Sequence, residues 1–200
     1  ALAGNNYLVN ETEASWGLRG IGSRTDILNL PEWFYSEDSP LILDELFHLR
    51  NPRRMEESTL TDPGGENQII MLVPSFANSL MRGSPEDVPQ AGRLLTIGTA
   101  KFVYLNLLEC FAAHPGKLFI VVTAPPVTDP TWAYNAHDFN AWLVTDWLVE
   151  NEYPLNNVAV FDLYNVLSHF DNHHRFNPTS GQIEHIVAYL TNTLYYDGEI

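Results

Sequence analysis

In this 200-residue chain, a candidate acid–base pair lies in the stretch "FDNHHRFN" (170–177), where Asp171 stands three residues before His174. The stretch is polar and reads as a turn. Asp-x-x-His is a common way to supply two members of a hydrolytic triad. The imidazole takes the proton of a serine hydroxyl that is otherwise a poor nucleophile. The carboxylate fixes the imidazole tautomer and stabilises the imidazolium. The same spacing also suits surface polar residues in a loop. For the third member, Ser23 in "GIGSRTD" is the internal candidate, because its flanking glycines permit a tight turn. No apolar strand leads into it, as a nucleophile elbow requires. Its expected place is therefore a loop over the site, where Arg24 and Asp26 pair with each other or contact substrate.

The elements that must position such groups are legible in the hydrophobic pattern. "QIIMLV" (68–73), "KLFIVVTA" (117–124) and "NVAVFDL" (157–163) are short, nearly continuous in apolarity and rich in β-branched residues. That pattern predicts parallel strands covered on both faces. Between the first two, 88–115 carries a helical stripe through Leu94, Ile97, Val103, Leu107, Leu108 and Phe111, ended by Pro115-Gly116. Residues 133–150 repeat the pattern through Phe139, Leu143, Trp147 and Leu148. "SPLILDELFHL" predicts a helix with Ser39 as cap and Pro40 at its first position. "SGQIEHIVAYLTNTLYY" predicts a last helix capped by Ser180. "WGLRGIGSRTDILNLPEWF" reads as a long loop and "NNYLVNETEA" as an edge strand. Alternation of strand and helix implies one three-layer α/β/α domain over 1–200 with a parallel sheet. In such folds reactive groups sit beyond the carboxyl ends of the strands. The segments found there are "PSFANS", "PPVTDPTWAYN" and "YNVLSHFDNHHR". Trp16, Trp33, Phe34 and Trp132 fall in predicted loops around that crevice, where aromatics stack on sugar rings or cover the edge of the core.

The succession "IGSRTDI…PEWF", "IIMLVPSFANS", "HPGKLFIVVTAPP", "NVAVFDLYNVL" and "DNHHR…GQIEHIV" resembles the SGNH (GDSL-like) hydrolase superfamily, and within it a branch of secreted or uncharacterised prokaryotic members. The resemblance runs along nearly the whole chain. It implies a flavodoxin-like sheet of order 2-1-3-4-5, a serine after strand 1, an oxyanion-holding asparagine after strand 3 and an Asp-x-x-His element after strand 5. By position, Asn78 would be the oxyanion donor with Ser75 close by. Asp171 and His174 would be the acid and base, with His173 as the alternative base because the doubled histidine leaves the register open. The activity implied is ester hydrolysis, with a carbohydrate ester among the substrates.

The opening "ALAGNNYLV" reads as the last turn of a helix, a glycine at the position that ends it, and a strand. Against the family pattern, this places strand 1 and its serine before residue 1, so the chain is expected to be incomplete at its N-terminal end and to lack the nucleophile. Without strand 1, a slot would separate the strand near Asn5 from the strand near Gln68. Buried unpaired backbone groups cost about 1–3 kcal/mol each. The slot is therefore expected to be filled, by further chain, a retained fragment or a strand from a neighbouring molecule.

Ten basic and 25 acidic side chains give a formal net charge of −15. That balance disfavours nucleic acid and anionic membranes as partners. No eighteen-residue apolar run is present to span a bilayer. Cys110 is the single cysteine. It cannot form an internal disulfide, no zinc spacing surrounds it, and it reads as a small buried hydrophobe. No cofactor is expected. The expected partners are a small-molecule or glycan ester and, in self-assembly, another copy. The expected location is extracellular or at the cell surface. The alternatives are a non-catalytic extracellular structural subunit that keeps the fold, and a carbohydrate-binding protein.

Overall fold

A computed structural model describes residues 26–49, 64–126, 130–168, 174–177, 179 and 182–185. The three apolar runs form parallel strands: β1 (Ile69–Leu72), β2 (Leu118–Val122) and β3 (Val158–Phe161). Their order in the sheet is β1-β2-β3. Ile70 is opposite Phe119 and Phe119 opposite Val158, so Ile70, Phe119 and Val158 share a face. Consecutive parallel strands need a crossover of a dozen or more residues. Both crossovers here are helical, so the chain is mixed α/β.

Before β1, a 3-10 turn (Ile27–Asn29) leads into α1 (Leu30–Phe34), and α2 spans Ser39–His48. The β1–β2 crossover contains α3 (Ile97–Ala113). The β2–β3 crossover contains α4 (Ala133–Thr145) and α5 (Trp147–Glu150), and α6 (Leu163–Ser168) follows β3. The Thr96 hydroxyl caps α3 by accepting from the Thr99 N–H, so the helix starts later than its apolar stripe suggests. Leu94 lies before it and is exposed. The helix ends at His114, whose ring faces the carbonyl oxygen of Cys110 at 2.8 Å.

The core lies between the sheet and α1, α3 and α4. The Phe111 ring stacks on Phe119 with centroids 4.1 Å apart, and the edge of Phe34 meets Phe111 at 5.9 Å. Tyr104 packs on both Phe139 and Trp147, and the Trp147 indole N–H donates to the Tyr104 carbonyl. The opposite sheet face is different. Ile69, Met71, Val73 and Phe161 are each about half exposed, at 47–48 %. Burial of these strands on both faces therefore does not hold among the described residues.

Three further expectations are corrected. Trp33 and Phe34 are not loop aromatics: they belong to α1, are 3 % exposed and form part of the core. Pro31 in the first turn and the spacing of Leu30, Trp33 and Phe34 favour one helical turn there. The cap of α2 is Asp38, not Ser39, whose hydroxyl donates to the Ser36 hydroxyl instead. The predicted C-terminal helix is a strand over its described part. β4 (His174–Asn177) and β5 (Gln182–His185) pair antiparallel, with His174 opposite His185 and Asn177 opposite Gln182. Gln-Ile-Glu-His alternates polar and apolar types, and the four residues between the strands include turn-forming Pro178 and Gly181. Cross-strand pairing prevails there over a weak helical period. The predicted strand near Asn5, the slot beside it and the cap Ser180 lie outside the described residues.

Candidate functional site at the carboxyl ends of the strands

β1 is followed by Val73 and the buried Pro74, which has no N–H for a ladder. The chain then turns through a 3-10 segment (Phe76–Ser79), with the Asn78 N–H donating to the Ser75 carbonyl. This turn drives Asn78 inward, where it is 1 % exposed. Its amide is fully committed. Oδ1 accepts from the Ile27 N–H at 2.8 Å. Nδ2 donates to Asp26 Oδ1 at 2.9 Å and, at 3.2 Å each, to the carbonyl and hydroxyl oxygens of Ser75. The exposed Ser75 hydroxyl donates to the same Asp26 Oδ1 at 2.7 Å. Asp26, Ser75 and Asn78 therefore form one cluster, with two neutral donors aimed at one carboxylate oxygen.

The ends of β2 and β3 are joined similarly. Thr123, fully buried, donates its hydroxyl to Asp162 Oδ1 at 3.2 Å and accepts from the Tyr164 N–H at 2.8 Å. Asp162 Oδ1 also accepts from the Asn165 N–H at 3.0 Å, closing the first turn of α6. The Tyr164 hydroxyl donates to the Ala133 carbonyl, and burial, aided by the charges of Asp162 and Asp138, pushes its pKa upward. Ser79 donates to the Pro125 carbonyl at 2.6 Å, tying the β1 turn to the β2 loop. Asn140 on α4 donates to the Ala124 carbonyl at 3.3 Å. Asn135, also on α4, donates to the carbonyls of Met81 and Gly83.

Of the residues singled out from sequence, Asn78 and Ser75 are brought together at this edge. Trp132 is half-buried in a 3-10 turn (Pro130–Trp132) directly before α4. The backbone of His174 starts β4, in a ladder separate from β1–β3. His174 thus belongs to a strand, where the sequence reads as a turn. Ser23, Arg24, Asp171 and His173, and the His174 side chain, lie outside the described residues. One expected residue has other partners, and one pair was missed. Asp26 engages Ser75 and Asn78, where the sequence suggests Arg24 or substrate. The Thr123–Asp162 pair was signalled only by a threonine at a strand end and an Asp-x-x-Asn opening a helix.

A second concavity, about 830 Å³, opens at the amino ends of β1 and β2 and is lined by Tyr35, Phe47, Glu66, Cys110 and Lys117 among others. Its groups are poor reactants. The Lys117 ammonium is paired with Glu66, donates to the Asn67 carbonyl and lies 4.6 Å from the Phe47 ring centroid. Burial pushes the Cys110 thiol up to about 11 and the Tyr35 phenol up to about 12. Despite its size, this groove is a weaker candidate than the polar edge, because parallel sheets bind ligands beyond the strands' carboxyl ends. Among the described residues, no helix is long and apolar enough to cross a membrane.

Comparison of the chain with protein-family models, curated proteins and solved structures finds no match.

Proposed function

We propose that this chain carries the acid, base and oxyanion groups of an ester hydrolase of SGNH type, with the nucleophilic serine upstream of these residues, acting on a small-molecule or glycan ester in an extracellular or cell-surface setting. The observation that carries the reading is Asn78. It is a buried asparagine with a fixed amide, in the turn after β1, at the carboxyl edge of a parallel sheet. A side-chain amide held in this way is the type of donor that stabilises a developing oxyanion, and loss of one such donor costs about 10²–10³ in rate. Asp171 and His174, with His173 as the alternative base, supply the acid and base in this proposal. The test is labelling with a fluorophosphonate probe alongside turnover of p-nitrophenyl acetate. A labelled serine, identified by peptide mass spectrometry, together with turnover lost in His174→Ala or His173→Ala, supports the reading. Neither label nor turnover in natively folded full-length protein overturns it.

A second reading, an extracellular assembly subunit without catalysis, is favoured by the half-exposed Ile69, Met71, Val73 and Phe161 on one sheet face. Apolar side chains grouped on one face mark interaction surfaces more often than isolated ones do. Sedimentation velocity over a range of concentrations separates the two: concentration-dependent polymers that Met71→Lys abolishes favour assembly.

A further inference from the structure

We propose that Ser75 and Asn78 form a cradle for a carboxylate or an ester oxyanion, and that the chain's own Asp26 fills it in the resting protein. The two donors converge on one oxygen, Asp26 Oδ1, at 2.7 and 2.9 Å. A primary amide has two hydrogens and a hydroxyl one. One Asn78 hydrogen goes to Asp26 and the other is shared between the oxygens of Ser75, whose own hydrogen also goes to Asp26. No donor of the pair is left for an incoming anion. An anion enters only by taking the place of the aspartate oxygen.

The two sides of this contact differ in freedom. Asn78 is buried and anchored through Oδ1 by the Ile27 N–H, so its Nδ2 keeps one direction. Such preorganisation is what a donor to a developing negative charge needs. Asp26 is exposed, and when its carboxylate turns to water, Asn78 Nδ2 keeps its acceptors on Ser75. Its backbone stays in place, because its carbonyl accepts from the Asn29 N–H at 2.8 Å. The pair contains no cation, so the cradle suits a single negative oxygen, as on a carboxylate or a tetrahedral ester intermediate. The occupancy stands on geometry alone, whereas its use on an ester oxyanion rests on the proposed hydrolase reading.

The experiment compares the full chain with Asp26→Ala and Asp26→Asn by amide NMR during titration with sodium acetate, against sodium chloride at equal ionic strength. In Asp26→Ala the Asn78 side-chain amide signals are expected to shift saturably with acetate and not with chloride, and Ser75→Ala in that background is expected to abolish the shift. The unchanged chain is expected to show no shift over the same range. Asp26→Asn, which keeps an acceptor oxygen without the charge, is expected to need more acetate; it also provides the comparison if Asp26→Ala does not fold. An equal shift in the unchanged chain, or none in either natively folded variant, overturns the cradle. In full-length protein, turnover of p-nitrophenyl acetate is expected to rise severalfold in Asp26→Ala and to be suppressed by acetate. An acetate shift without turnover in any form counts against the hydrolase reading and leaves the cradle standing. Turnover that does not rise in Asp26→Ala overturns its use on an oxyanion.

Discussion

The Asn78 side chain binds the Asp26 carboxylate at 2.9 Å across 52 residues of chain, while its other end holds the N–H of Ile27. One buried amide therefore fastens the segment that opens α1 to the turn that leaves β1. Asn78→Ala leaves the Ile27 N–H and the Asp26 carboxylate without this partner, and losses of this kind cost about 1–3 kcal/mol. Asp26→Ala is expected to cost less, because the Ile27 N–H keeps its partner and Asn78 Nδ2 keeps its acceptors on Ser75. In a double-mutant cycle read by urea denaturation, the two losses are expected to be non-additive, the double variant losing less than their sum.

The two sheet faces predict opposite responses to one type of substitution. Phe119 is fully buried and stacked on Phe111, so Phe119→Ala is expected to destabilise the fold by about 3–5 kcal/mol. Phe161 is 47 % exposed on the other face, and Phe161→Ala is expected to stay within about 1 kcal/mol. Paired urea denaturation curves check the contrast. A large loss at Phe161 would show that this face is covered in solution.

Acid is expected to weaken the pairing at the amino ends of the strands. The hydrogen bond and charge of Lys117 hold the Glu66 carboxyl below its ordinary range. A carboxylate depressed on folding stabilises the protein above its unfolded pKa. That contribution is lost as pH falls through the lower folded value. Lys117→Met keeps the apolar stem beside Phe47 and removes the charge. Carbon-detected NMR is expected to show Glu66 titrating at an ordinary carboxylate value in this variant, and the fall of Tm on acidification is expected to become shallower.

Cys110 is buried in α3 and its thiol is pushed up to about 11. The thiolate is the reactive form. Ellman's reagent at pH 8 is therefore expected to label native protein far more slowly than urea-unfolded protein. Equal rates would place the thiol at the surface.

The sequence by itself determined the elements whose signals are local. β1, β2 and β3 follow from continuous apolar runs, and α3 and α4 from helical stripes. Each of these depends on neighbours within a few residues. Tertiary structure alone decided the rest. Trp33 and Phe34 became core because α1 docks on α3, and Gln182–His185 became a strand because His174–Asn177 offers a ladder. Lys117 was buried because Glu66, Asn67 and Phe47 meet it from one side. Asp26 found Ser75 and Asn78 in place of a near neighbour. Such pairings join segments brought together only when parallel strands align through long crossovers, and a hydrogen bond between residues 52 apart leaves no periodic trace in either segment.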